Sequence, residues 1–191
     1  GDAYGGDRAG RMKHPLEIIE TVRAVWPEDR PLFVRISSVD GIDGGIDIAD
    51  SVAFVSEAKA RGADVIDCSS GGLMGSATAA RIPRGYSFQV PFAEQIRRDA
   101  KVTTMAVGLI LHPQQAEGIL AEDRTDVIAV GREALFDPNW PLHAELALSQ
   151  TKGEIGDGTF ASWPKQYGWW LERREPGLRK LDGPALPFRK A

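Results

Sequence analysis

Asp126-Val-Ile-Ala-Val-Gly-Arg132, with Val102-Thr-Thr-Met-Ala-Val-Gly-Leu-Ile110 about one helix before it, is the stretch on which the fold turns. Each segment is a short β-rich apolar run whose C-terminal end stops on glycine, and the second places an arginine directly after it. Glycine lets a phosphate approach the backbone with no Cβ in the way, strand-end amides donate to its oxygens, and a guanidinium grips them in bidentate fashion. In (β/α)8 barrels such a site is built from the loops after the last two strands. Taken singly, Gly108 and Gly131 read equally well as strand-end turn glycines, and Arg132 as a surface ion-pair partner. Their paired occurrence favours an anion site.

Working outward, strand-like runs recur at Leu32-Phe-Val-Arg-Ile-Ser37, Ala63-Asp-Val-Ile-Asp-Cys68, Val102 to Val107 and Asp126 to Val130. Amphipathic helices fill the intervals, which indicates a parallel sheet covered on both faces, or a barrel. His14-Pro15 reads as the opening of the first helix, with Ile18, Ile19, Val22, Val25 and Trp26 on its apolar face and Pro27 as its stop. Asp47 reads as the cap of the second, whose inward side is Ile48, Val52, Val55 and Ala58 and whose end is Gly62. Pro91 and Pro113 stand at the start of the next two, with Phe92 and Ile96 inward in one and Ala116, Ile119 and Leu120 in the other. About four βα units can be counted, whereas a closed barrel needs eight and typically about 250 residues. The expected fold is half of an α/β barrel.

With 191 residues, 42% of them hydrophobic, and a formal charge of -4, the chain can bury a core and carries no basic stripe suited to nucleic acid. No apolar run approaches the roughly 20 residues of a bilayer span, and no export signal is visible, so a cytoplasmic location is expected by default. The single cysteine, Cys68, excludes an internal disulfide and reads first as a small buried residue. His14, His112 and His143 have no ligand spacing, and no metal is expected. Two connections, Ser38 to Gly45 and Gly71 to Gly85, are long and follow strand ends, the functional face of such folds. From Gly153 onward Trp163, Trp169 and Trp170 sit among Pro, Gly and charge, which reads as an irregular tail packing across another surface. The division is therefore 1–150, a half-barrel, and 151–191, a tail suited to subunit contact.

In register over most of its length, the chain resembles the old yellow enzyme family of FMN-dependent ene-reductases, especially the bacterial branch. The residues that carry the resemblance are Asp2-Ala-Tyr-Gly-Gly6, Pro31 to Ser37, Val65-Ile-Asp-Cys-Ser-Ser-Gly71, Gln89 to Arg98, Val107-Gly-Leu-Ile110 and Val130 to Pro141. It implies the C-terminal half of the barrel, about strands five to eight, and FMN with NAD(P)H as reductant. The implied reaction reduces activated C=C bonds of α,β-unsaturated carbonyl compounds. Arg35 matches the family arginine beside the flavin N1 and C2 carbonyl, where a fixed cation stabilises charge that develops on reduction. Its plain alternative is a barrel-interior arginine held by carboxylates. Gly108 and Leu109 match backbone donors to the FMN phosphate, and Gly131 with Arg132 the rest of that grip.

The His or His-Asn pair that holds the substrate carbonyl, and the proton-donating tyrosine, precede the Asp-x-Tyr-Gly-Gly segment in the family. No catalytic residue is therefore assigned in this chain, and alone it is expected to be inactive; His112, before Pro113, reads as a helix-start residue. Pro164 to Trp170 resembles the segment by which a neighbouring subunit closes the active site, with Trp169 where some relatives place arginine, so a homo-oligomer or pairing with the missing N-terminal half is expected. A tryptophan anchoring the tail to its own barrel is the alternative for Trp169. Two rival functions stand beside this one: a phosphate-binding barrel enzyme without flavin, and a non-catalytic half-barrel assembly module.

Overall fold

The computed structural model describes residues 2–71, 82, 84–151, 158–178, 180 and 181. Four strands, β1 (Phe33–Ser37), β2 (Val65–Ser69), β3 (Thr103–Ala106) and β4 (Val127–Ile128), pair side by side in chain order, every pair parallel. Between them run α2 (Ile48–Ala60), α3 (Val90–Ala100) and α4 (Pro113–Ala121), preceded by α1 (Arg8–Arg23). Parallel neighbours need such crossovers, because a tight hairpin returns the chain antiparallel.

Register sorts the strand residues onto two faces. Ile66 lies opposite Thr104 and Cys68 opposite Ala106, and all four are fully buried. Val55 and Ala58 of α2, and Val90, Ala93 and Ile96 of α3, are equally buried, and α3 contacts β2 and β3. Each large member of this layer, Ile66, Val55 and Ile96, contributes about 1.5–3 kcal/mol of burial. The alternate set is treated differently. Val65 and Asp67 are buried, but Phe33 and Val127 remain 48% and 37% exposed and Arg35 and Thr103 are also exposed. One face of this parallel sheet is therefore covered and the other partly bare among the described residues, whereas parallel sheets ordinarily have both faces covered.

Helix starts follow their side chains. Asp47 accepts from Asp50 N at 2.8 Å and caps α2, and Gly62 beyond its end has φ +91°, as expected. His112 is the N-cap of α4 and Pro113 its first residue, also as expected. The first helix differs. It begins at Arg8, two turns before Pro15, because Asp7 accepts from Gly10 N at 2.8 Å and caps it there. Leu16 and Ile19 are its buried residues, while Ile18 and Val25 are 49% and 83% exposed and Trp26 is also exposed. Ser51 is buried on α2 although no apolar pattern marks it, because its Oγ donates to Ser38 O at 2.8 Å; Leu120 of α4 is exposed.

The chain divides into Gly1–Phe136 and Asp137–Ala191, earlier than residue 150. After α5 (Arg132–Phe136), the second unit contains α6 (Trp140–Thr151) and α7 (Lys165–Leu178). Among the described residues of the tail, Lys165–Leu178 are thus helical rather than irregular. Gly168 is there because a Cβ would stand 2.6 Å from Phe160 O, so glycine marks close packing and not a break. Pro176 falls in the last turn of α7. Phe160 and Ala144 are buried, Trp163 packs on His143 at 5.4 Å, and Ser162 Oγ donates to Glu145 at 2.8 Å, so α6 belongs with the segment before α7. Much of the Gly71 to Gly85 connection and of the segment after Gly153 lies outside the described residues.

Candidate functional site

The ends of β3 and β4 come together. Met105 pairs with Val127 and Ala106 with Ile128, and Ala129 N donates to Ala106 O at 2.8 Å. The chain therefore leaves the sheet along two adjacent paths, Val107-Gly108-Leu109 and Val130-Gly131-Arg132. The backbone turns sharply on the first: Gly108 has φ +123° and Leu109 has φ +51°, a conformation that residues with a side chain rarely adopt. Among the described residues the amides of Gly108 and Leu109 donate to no backbone or side-chain acceptor. Gly131 faces open space, with nothing within 4 Å of where a Cβ would stand. Arg132 is exposed and forms no ion pair among the described residues. Two amides and a guanidinium without protein acceptors, at neighbouring strand ends, make a donor set that fits an oxyanion.

Arg35 lies elsewhere on the sheet. It sits on β1, in one register row with Asp67 and Met105, and its Nη1 is 2.9 Å from Asp67 Oδ2. The arginine side chain is 61% exposed and the aspartate 9%, so the pair stands at the boundary of the bare face with the carboxylate beneath the cation. Asp67 Oδ1 is buried with no hydrogen-bond partner among the described residues. An arginine held by carboxylates is among the readings the sequence allows, but nothing beyond an acid in the middle of an apolar strand singles out Asp67.

A cleft of about 580 Å³ runs beside β1, which pairs with β2 on one side and with no described strand on the other. Ile18, Ile19 and Val22 of α1 and Phe54 of α2 line it with β1 itself, Arg35 included. Gly108, Leu109, Gly131 and Arg132 do not line it. The structure therefore places those four on the adjacent paths that follow β3 and β4 and sets Arg35 apart from them, two strands from β3.

The other residues considered are accounted for locally. Cys68 is buried, and burial first, then the Asp67 charge, pushes its thiol up to about 12, which makes it inert as a nucleophile. His14 packs edge-on against Tyr4 at 5.6 Å, and His143 Nδ1 lies 2.7 Å from Asp137 Oδ2. Trp169, in the second unit, is 47% exposed, with the Arg173 guanidinium 3.8 Å over its ring and Trp170 edge-on at 4.6 Å. No described helix is long and apolar enough to cross a membrane.

With this geometry established, the chain belongs to the NADH:flavin oxidoreductase / NADH oxidase family, whose sequence model matches residues 1–150. It is 43% identical over 166 residues to an NADPH dehydrogenase of Halalkalibacterium halodurans, an alignment covering 87% of this chain and 45% of that protein. To the NADPH dehydrogenase of Bacillus subtilis it is 45% identical over 154 residues, 81% of this chain and 43% of the relative. The chain thus spans about half the length of the curated relatives it matches. Among solved structures it is similar in fold to 2-naphthoyl-CoA reductase in complex with 2-naphthoyl-CoA, with TM-score 0.65 and 23% identity, covering 80% of this chain and 23% of that one. Histamine dehydrogenase from Rhizobium sp. 4-9 gives TM-score 0.62 and 19% identity, over 81% of this chain and 21% of its own.

Proposed function

We propose that this chain is the C-terminal half of an FMN-dependent (β/α)8 oxidoreductase, contributing strands five to eight and most of the cofactor grip. The whole enzyme would use NAD(P)H to reduce activated C=C bonds of α,β-unsaturated carbonyl compounds. One observation carries the reading: β3 and β4 are adjacent and parallel, and the turn after each holds a glycine with amides or a guanidinium that have no acceptor among the described residues. That is where a barrel holds phosphate. The half-bare sheet and the free β1 edge support the barrel.

Bound FMN would supply hydride transfer between nicotinamide and alkene. The chain's own residues would bind and polarise. Gly108, Leu109, Gly131 and Arg132 would hold the phosphate, and Arg35, fixed by Asp67, would hold a positive charge against the ring system. β1 and β3 are two strand spacings apart, about 10 Å, a reach suited to an elongated cofactor. The residues that hold and protonate the substrate are assigned to the portion of the relatives that this chain does not span, so the chain alone is proposed to be inactive. Trp169 is proposed as an aromatic lid over a neighbouring subunit's substrate site.

The apolar cleft beside β1 favours a partner at that edge, and the proposed occupant is the remaining half-barrel. Co-expression of this chain with the remaining portion of the Bacillus subtilis relative tests the whole reading. The complex is expected to purify yellow, with flavin absorbance and enone-dependent NADPH oxidation, and the chain alone to show neither. A complex that forms without flavin, or enone reduction by the chain alone, would overturn it.

A further inference from the structure

We infer that Gln89 and Gln115 are positioning residues that aim the Gly108–Leu109 turn at a phosphate; the inference rests on the reading of that turn given above. The two glutamines grip the turn from opposite ends. Gln89 Nε2 donates to Val107 O at 3.0 Å, and Gln115 Nε2 donates to Leu109 O at 2.9 Å. A peptide unit is planar and trans, so its carbonyl and the following N–H point in opposite directions. Pinning the Val107 carbonyl therefore turns the Gly108 N–H away from Gln89, and pinning the Leu109 carbonyl fixes the far end of the turn, so the peptide between them, which carries the Leu109 N–H, is held from both sides. The positive φ at both Gly108 and Leu109 is the backbone conformation that results.

Both side chains are committed to this task. Gln89 is buried, and its Oε1 accepts from Ser70 Oγ at 2.8 Å, which ties the end of β2 to the end of β3. Gln115 uses its oxygen for Leu111 N at 3.0 Å and His112 N at 3.4 Å, and its nitrogen reaches Ser87 Oγ at 2.8 Å as well as Leu109 O. Those two N–H donors fix which end of the amide is oxygen. Gly108 completes the arrangement, because a Cβ there would stand 2.8 Å from Gln89 Nε2 and 2.9 Å from Phe88 Cε1. Neither glutamine is placed to touch the phosphate. They act through the peptide planes they hold.

The test compares FMN with riboflavin, which lacks the phosphate, in the chain reassembled with the remaining portion of the Bacillus subtilis relative. Dissociation constants come from flavin fluorescence quenching for wild type, Gln89→Met, Gln115→Met and Ser87→Ala. Wild type is expected to prefer FMN. Each methionine variant is expected to weaken FMN by about tenfold or more, as for a misaligned charge-assisted hydrogen bond, while riboflavin stays within about twofold. Ser87→Ala removes one anchor of Gln115 without opening the core, so a smaller loss in the same direction covers the case where Gln115→Met does not fold, and Ser70→Ala, measured alongside, does the same for Gln89. An FMN-to-riboflavin ratio unchanged in the variants, or equal weakening of both ligands, would overturn the inference while leaving the phosphate site intact. A wild-type ratio near one would overturn the phosphate site and this inference together.

Discussion

Replacing Gly108 with alanine, and Gly131 with alanine in parallel, separates two reasons for a glycine at a strand end. At Gly108 the backbone has φ +123°, and a side chain held there costs about 1–3 kcal/mol. The added methyl would also meet Gln89 Nε2 at 2.8 Å, a group tethered to both Ser70 and Val107, so a hydrogen bond worth about 1 kcal/mol is strained or lost. The sum is a destabilisation of about 2–4 kcal/mol, a drop in midpoint on the order of 10 °C for a chain of this size. At Gly131 no positive φ is required and nothing lies within 4 Å of the new methyl. Alanine there is expected to be neutral, or to stabilise by about 0.4–1 kcal/mol. Thermal and urea unfolding of both variants gives the difference directly. For FMN binding in the complex with the remaining half, Gly131→Ala is expected to weaken affinity despite its stability, because its methyl enters the space where phosphate would approach. Equal stabilities for the two variants would refute the account of Gly108, and unchanged FMN affinity in Gly131→Ala would refute that of Gly131.

Ile96→Ala, in a fully buried position, is expected to cost about 2–5 kcal/mol in urea unfolding of the chain. Ile18→Ala, half exposed at the β1 cleft, is expected to cost less than about 1 kcal/mol in the chain alone and more once a partner covers that edge, read by the same titration on the complex. Cys68 should resist alkylation at pH 8 in the folded chain and react after denaturation. Its folded thiol is raised to about 12 from an ordinary value of 9.0, so the stability linked to it is complete below pH 9 and is lost as pH rises toward about 12. The unfolded thiol releases its proton first over that window, and Cys68→Ala should flatten this part of the alkaline decline.

The four strands were legible because each is a β-branched run that stops near glycine or serine, and the parallel arrangement followed from the helices between them. Helix caps were legible where a single side chain sits at the boundary, as with Asp47 and His112. The start of α1 was missed because Pro15 reads as a first-turn residue, whereas Asp7 caps the helix two turns earlier and the interior proline is tolerated. The helical tail was missed because Gly168 and Pro176 are local breakers in sequence, yet one serves close packing against Phe160 and the other falls where the helix is ending. At the site, the two glycine-terminated strands could be read from composition. Asp67 under Arg35 could not: the two are 32 residues apart and meet only through the β1–β2 register. The roles of Gln89 and Gln115 were equally hidden, since hydrogen bonds to carbonyls 18 and 6 residues away leave no periodic trace.

The sheet that is finished on one side alone has a consequence for denaturant sensitivity. The slope of unfolding free energy against urea follows the surface newly exposed, and residues such as Phe33 and Val127 already meet solvent in the folded chain. Each residue of this chain therefore contributes less to that slope than a residue of a closed barrel does. Covering the bare face would steepen the slope as well as raise the midpoint, because solvent lost from that face on assembly is solvent regained on unfolding.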